Sequence, residues 1–479
     1  MDKGPYIEDR LRPLTEYYRS LPLNLRKIIG VGYRILPANL RFGPTYGKTT
    51  NLLRKSNDYS VEKLNELQLQ LLQKLITHAY ENVPYYHNLF DRNELNPSDI
   101  SSLFDLRKIP CLTKGQVRNN KKDLIATNIP TSQHLYMNTG GSTGIPLELL
   151  YEKGYSRARE WAFMYNLWRR VGWKDGDSRV MLRGWSIPDG SLWQYEPIRN
   201  RLIMSAYHLS SDNLPIYLQK IRDFSPKFIE AYPSNLMIIA NYMVKNNLPP
   251  IRSVKAILSG SENLFPIQRQ LFEKAFDCRV FSWYGHGEIV ALGGECEFSH
   301  DLHFFPEYGI LELLSENDEA VTKDGEMGEI VATGFNNNVM PLIRYRTGDL
   351  GVLATGTCKC GRNYPRLKRI EGRKQELIVS KDGTLITLTG LIFGQHFNAF
   401  SRIERMQLIQ SKVGELLIRI VTNPDYSHIT DEDEIRQKIF KAVGDSLSLQ
   451  FDYVEEISRP ASGKHLFLIQ ELSIADYLI

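Results

Sequence analysis

The chain has 479 residues, 42% hydrophobic and 24% charged, with 25 Tyr and five Cys. That length and apolar content point to two or more domains with sizeable cores and exclude a disordered chain, while five Cys are too few for a disulfide framework and point to the reducing cytoplasm. No apolar run reaches ~18 residues, MDKGPYIEDR carries acids with no apolar segment behind it, and a net charge of +4 is small, so a membrane span, a signal peptide and a nucleic-acid partner are not expected.

Charge is nevertheless uneven. Residues 17–57 hold Arg19, Arg26, Lys27, Arg34, Arg41, Lys48, Arg54 and Lys55 and no acid. LPLNLRKIIGVGYRILPANLRF mixes these charges with apolar residues, which fits either a segment lying on an anionic membrane surface or a docking arm solvated on one side. Its Pro and Gly break any long helix. Residues 60–93 repeat Leu, Ile and aromatics at helical spacing behind Ser60. NPSDISSLFDLRKIPCLTKGQVRNN follows as short helices and turns.

HLYMN and LELLYE read as two strands around a Gly-rich loop, Thr139-Gly140-Gly141-Ser142-Thr143-Gly144. A helix from about Lys153 to Arg170 comes next, then RVMLRGW as a strand. VKAILSGSENL and RVFSWYGHGE each read as a buried strand and a polar loop, with QRQLFEKAF helical between them. Repeated strand, loop and helix predict an α/β sheet whose loops gather at one edge. From Leu302 onwards short strands and turns dominate. After EGRKQ a smaller α+β region begins. The expected division is a basic arm over 1–59, a large domain over 60–374 and a C-terminal domain over 375–479.

The Gly-rich loop matches G-x-S-x-G, but a nucleophile elbow needs a helix directly after its Ser. Here Ile145-Pro146 and an apparent strand follow, so a serine hydrolase acting through Ser142 is a remote alternative. The P-loop pattern fails, because G-K-[ST] is absent both here and at Gly463-Lys464-His465. A phosphate cradle or a mobile hairpin remain, since Gly lets backbone N–H groups converge on an anion.

Together with SGSE (259–262), YGHGE (284–288), YRTGDL (345–350), RIEGRKQELI and RPASGK (459–464), the loop resembles the ordered signatures of the adenylate-forming superfamily of acyl- and aryl-CoA ligases. LITHAYENVPYYHNLF, IPCLTKGQVR, AYPSNL and Cys358-Lys359-Cys360-Gly361-Arg362 narrow the resemblance to the phenylacetate–CoA ligase branch and its CapK-like capsular-polysaccharide-biosynthesis relatives.

The resemblance implies a large multi-layer α/β domain binding ATP and acid, and a small mobile α+β domain carrying a catalytic Lys. It implies adenylation of a small-molecule carboxylic acid with release of pyrophosphate, then transfer to coenzyme A. Thr139 to Gly144 would cradle the phosphates, although Ile145 replaces the family's usual Lys. Glu288 would hold Mg²⁺; Ser261, Glu262, Tyr284 and Gly285 would border the adenine. Asp349 and Arg373 would reach the ribose, and Lys464 would sit between carboxylate and α-phosphate. Gln375 departs from the family's hinge residue. An acceptor amine or hydroxyl on a polysaccharide precursor is the alternative to CoA.

The C-x-C pair is a separate matter. Cys358 and Cys360 are spaced like thiolate ligands, and Cys296 with His303 would complete a structural zinc site of three Cys and one His. Reduced, unliganded Cys in a turn is the alternative.

Overall fold

The computed structural model describes residues 15–138, 147–183, 187, 190–206, 208–210, 212–260, 262, 264, 266–315, 317–370, 377–387, 391–392, 397–422, 424–457, 468–472 and 477. Helices α1 (Leu23–Ile35) and α2 (Ala38–Ser56) form most of the basic N-terminal segment. Proline punctuates both: Pro22 and Pro37 stand at their N-caps, and α2 kinks at Gly43 (φ 82) before Pro44. The second helix is no free arm. Phe42, Tyr46 and Leu53 enter the main core, and α2 packs on α5 (below) through Phe42, Tyr46 and Tyr165.

Helix α3 (Val61–Asn82) starts where the sequence places it: the Ser60 side chain accepts the Lys63 N–H at 3.3 Å. Leu64, Gln68, Leu72, Leu75, Ile76 and Ala79 are its buried face. Pro84 ends it and opens α4 (Pro84–Arg92) at a position needing no N–H. Helix α5 (Ser156–Arg169) is buried on most sides, with Ala158, Phe163, Leu167 and Trp168 among its core residues.

Strands β1 (His134–Asn138) and β2 (Glu148–Glu152) pair antiparallel, Asn138 opposite Glu148. The Gly-rich loop therefore joins two strands, and no helix begins at the first described residue after it. That is unlike a nucleophile elbow.

The large sheet contains β3 (Arg179–Leu182), β4 (Trp193–Glu196), β5 (Arg201–Met204), β6 (Phe228–Ala231), β7 (Ala256–Ser259), β8 (Arg279–Gly285), β9 (Leu292–Gly294), β10 (Leu302–Phe304), β11 (Gly309–Leu314), β12 (Met327–Gly334), β13 (Tyr345–Ala354) and β14 (Arg366–Ile370). Their order is β11-β12-β13-β14-β10-β9-β8-β7-β6-β3-β5-β4. Strands β3, β5, β6, β7 and β8 run parallel, with α6 (Leu214–Phe224), α7 (Pro233–Lys245) and α8 (Pro266–Phe276) in the connections. Both faces are covered, so β3, β6 and β7 are buried at every position.

Strand β8 joins the two halves of the sheet. Arg279 to Ser282 pair in parallel with β7, and Trp283 to Gly285 pair antiparallel with β9.

The C-terminal region has its own core. A hairpin of β15 (Leu377–Val379) and β16 (Leu385–Thr387) precedes a sheet ordered β19-β18-β17-β20, made of β17 (Ile403–Gln410), β18 (Glu415–Thr422), β19 (Ser448–Tyr453) and β20 (Leu468–Gln470). Ile435 and Ile439 of α9 (Thr430–Val443) pack with Leu408, Ile418 and Ile420. The fold is α/β, with a large mixed-sheet domain and a small C-terminal α/β domain. The boundary expected near Lys374 lies in 371–376, outside the described residues.

Candidate active site

The end of β8 and the start of β13 meet through two crossed hydrogen bonds. Tyr284, on β8, donates its hydroxyl to Asp349 Oδ2 of β13 at 2.9 Å. Tyr345, on β13, donates its hydroxyl to Glu288 Oε1, just beyond β8, at 3.0 Å. Each strand supplies one carboxylate and the phenol that orients the other strand's carboxylate.

A bulge aims Asp349. Glu329 of β12 pairs with Leu350 and Val331 pairs with Arg346, so Ile330 alone faces Thr347, Gly348 and Asp349. Gly348 takes a φ of 76, which a side chain would strain. Thr347 locks the bulge: its hydroxyl donates to the Ile330 carbonyl at 2.8 Å and accepts the Asp349 N–H at 3.1 Å. The Thr-Gly-Asp run is a backbone device that turns a carboxylate out of the ladder.

Glu288 sits in a tight turn in which the Ile289 N–H donates to the His286 carbonyl at 3.1 Å, and Ile289 itself has a φ of 49. A buried β-branched residue in that conformation costs on the order of 1–2 kcal/mol, held by the surrounding core. His286 Nδ1 lies 3.2 Å from Glu288 Oε2. Burial opposes ionisation of Glu288, but contact with His286, the charge that this imidazole carries when protonated and the Lys114 charge outweigh it, and the pKa falls to about 2. Tyr284 moves the other way. Burial first, then the Asp349 charge, push its pKa well above the usual phenol value, so it remains a neutral donor. Glu288 is an oxygen donor held ionised, the type of group that hard cations take.

Tyr151 donates to the Gly287 carbonyl, bringing β2 to this loop. On α5, Glu160 accepts the Tyr308 hydroxyl at 2.5 Å, and burial raises its pKa to about 6.

Of the residues singled out in the sequence, Tyr284, Gly285, Glu288 and Asp349 converge here. Glu262 is buried three residues after β7. Thr139, Gly140, Gly141, Ser142, Thr143, Gly144, Ser261, Arg373 and Lys464 lie outside the described residues. Tyr345 and His286 stood inside recognised motifs without a defined partner. Tyr151 and Glu160 carry no sequence signal, because their partners are distant in the chain.

Away from this edge, Cys296, His303, Cys358 and Cys360 also converge, their ligand atoms all within 4.8 Å of one another. Sheet register brings them there: His303 pairs with Gly294 on one side and Arg366 on the other. Cys296 follows β9, and the C-x-C turn leads into β14. Cys296 Sγ is 3.6 Å from Cys358 Sγ, and Cys360 Sγ is 3.4 Å from His303 Nε2.

Residues 378–471 match the CapK C-terminal domain. Over 441 residues the chain is 26% identical to Protein CapK of Staphylococcus aureus, covering 90% of this chain and 94% of that protein. It is 30% identical over 333 residues to phenylacetate-coenzyme A ligase of Escherichia coli (strain K12), covering 67% of this chain and 73% of that enzyme. Among solved structures, 2-hydroxyisobutyryl-CoA ligase in complex with 2-HIB-AMP and CoA shares the fold, with a TM-score of 0.59 and 18% identity over 87% of this chain and 92% of that one. With its ordered motifs, its sheet and these relatives, the chain belongs to the phenylacetate–CoA ligase and CapK branch of the adenylate-forming ligases.

Proposed function

We propose that the protein activates a carboxylic acid with ATP and passes the acyl group to coenzyme A. The crossed pairs Tyr284–Asp349 and Tyr345–Glu288 are the observation that carries this reading. They hold two carboxylates for two different tasks. Asp349 accepts ribose hydroxyls, and Tyr284 fixes its orientation. Glu288, kept ionised and steered by Tyr345, is the magnesium ligand. Magnesium, when bound, neutralises charge on phosphate oxygens.

In the first step a carboxylate oxygen bonds to the α-phosphorus, and the bond from that phosphorus to the pyrophosphate oxygen breaks. In the second the CoA thiolate attacks the acyl carbon, and AMP leaves with the electron pair on its phosphate oxygen. Alignment and charge stabilisation do this work, with no covalent enzyme intermediate. Lys464 is assigned to the cation between the two anions, Thr139 to Gly144 to the phosphates, Ser261 and Glu262 to the adenine, and Arg373 to the ribose.

ATP–pyrophosphate exchange over a panel of aryl, fatty and hydroxy acids tests the reading. Exchange should depend on one acid class and fall on the order of 10²–10³-fold in Lys464→Ala. Exchange unaffected by that change removes Lys464 from its role, and absence of both exchange and ATP binding rejects the activity.

The basic N-terminal segment and the resemblance of the motifs to capsule-type relatives, beside similarity along 94% of Protein CapK, motivate a second reading, in which the acceptor is an amine or hydroxyl of a polysaccharide precursor. Acyl product formed without CoA supports it; a strict CoA requirement rejects it.

Helix α1 adds a partner. Gly30 lies against Pro197, where a Cβ would come within 2.6 Å of backbone, and Arg34 donates to the Pro197 carbonyl. The face turned outward is mostly apolar, with Asn24 and Lys27 also exposed: Leu25, Ile28, Val31 and Ile35 are 48%, 69%, 48% and 77% exposed. A helix with its apolar stripe outward, in a segment of cations without acids, fits an anionic bilayer surface. Among the described residues no helix is long and apolar enough to cross a membrane. Vesicles with anionic lipid should pull the protein down while neutral vesicles do not, and Ile28→Asp with Ile35→Asp should abolish this. A dimer that the same changes dissociate, with no vesicle binding, assigns the face to a second copy instead.

A further inference from the structure

The geometry points to a structural zinc ion held by Cys296, His303, Cys358 and Cys360. Four soft or borderline ligands converge from two segments far apart in sequence, Cys296 and the β10 residue His303 from one and Cys358 and Cys360 from the other, and their atoms lie within 4.8 Å of each other. Tetrahedral zinc with Zn–S near 2.3 Å spaces its sulfurs about 3.8 Å apart and a sulfur and a nitrogen slightly closer. The observed 3.6 Å and 3.4 Å fit that frame. A disulfide would need ~2.05 Å.

The surroundings match a metal centre more closely than a chance cluster of thiols. The Asp301 carbonyl lies 3.0 Å from His303 Nδ1 and accepts a hydrogen bond from its N–H, which leaves the Nε2 lone pair facing Cys360. That orientation by a backbone carbonyl is the usual outer support of a metal-bound imidazole. The backbone N–H groups of Phe298 and Ser299 donate to Cys296 Sγ at 3.4 and 3.2 Å, as they would to a thiolate ligand. Ion pairs brace the two loops on either side: Arg362 grips Glu297 at 2.6 and 2.8 Å, and Arg366 pairs with Asp301 at 2.6 Å.

Four protein ligands fill the tetrahedron, so the ion has no open position for substrate and its role is to hold the fold. What it holds is the β9–β10 turn against the β13–β14 turn. Phe304, next to His303, packs on the Tyr284 ring at 5.8 Å, so the clamp backs the strand that orients Asp349.

Elemental analysis of the full chain purified without added chelator should find about one zinc per chain. Cobalt exchanged into the site should give the ligand-field bands of tetrahedral cobalt and a thiolate-to-cobalt charge-transfer band. Cys358→Ser should lose both, Cys111→Ser, outside the cluster, should keep both, and Cys358→His, which restores a ligand, should retain the metal. These readouts are independent of any ligase activity. Folded protein that lacks metal, fails to take up cobalt and shows all five thiols reactive would overturn the proposal. So would metal retained undiminished in folded Cys358→Ser and Cys360→Ser.

Discussion

Tyr345 donates its hydroxyl to Glu288 across strands β13, β14, β10, β9 and β8, while Tyr284 returns a bond to Asp349 over the same span. The strands are not neighbours in the sheet, so these side chains, with no ladder between β8 and β13, link Glu288, the residue proposed for magnesium, to Asp349, the residue proposed for the ribose. Loosening either bond should therefore affect a different stage of the same half-reaction.

Tyr345→Phe removes one hydrogen bond to an ionised carboxylate, an interaction worth about 1.5–3 kcal/mol. Pyrophosphate exchange should fall roughly tenfold or more, with a raised magnesium requirement and little change in KM for the acid. A magnesium titration of exchange checks this; an unchanged requirement would separate Tyr345 from the metal.

Tyr284→Phe should act on nucleotide affinity. Asp349 keeps its charge but loses its orienting phenol, so KM for ATP should rise by about tenfold while the magnesium dependence stays put. Asp349→Asn should be worse, because an amide offers only one acceptor atom in place of two. Isothermal titration with ATP and steady-state KM values decide between the two expectations.

Arg344 precedes Tyr345 with a φ of 49 and is buried. Its guanidinium meets Glu312 through two bonds of 3.0 Å and donates to the Ile109 carbonyl at 2.7 Å. Arg344→Ala leaves Glu312 without this partner and should cost about 3–5 kcal/mol, read by denaturant unfolding. Arg344→Lys should recover little, since one ammonium cannot replace a two-pronged fork.

Glu160 sets a pH dependence of stability. Its folded pKa of about 6 stands above the ordinary 4.5, so the folded state binds this proton more tightly than the unfolded chain. The group therefore favours folding most below pH 4.5, and that contribution is lost as pH rises through about 6. The loss amounts to about 2 kcal/mol at neutral pH. Glu160→Gln should flatten stability between those pH values, and a series of unfolding curves from pH 4 to 7 (roughly the titration window) measures it.

Much of this was legible in the chain. The Ser60 cap and the apolar spacing behind it marked α3, because capping and periodicity are local. The hairpin around the Gly-rich loop was legible for the same reason, as was the strand, loop and helix order that produces the parallel half of the sheet. The C-x-C pair with Cys296 and His303 was readable as a candidate ligand set, and the four side chains do converge, since thiol spacing carries chemistry before any fold is known. The outward apolar face of α1 was not: amphipathic spacing defines a stripe, and only the packing of Gly30 on Pro197 decides which side of the helix faces solvent.

The sequence by itself determined the elements, the motifs and the residue types available for each task, because helix periods, caps and turn residues act over a few positions. The tertiary structure alone decided that Tyr284 serves Asp349 and Tyr345 serves Glu288, that the Thr-Gly-Asp run is a bulge, and that the four metal-ligand candidates meet. Those outcomes depend on strand order and register between segments tens of residues apart, and long-range pairing is set by the burial of the whole sheet rather than by any local pattern.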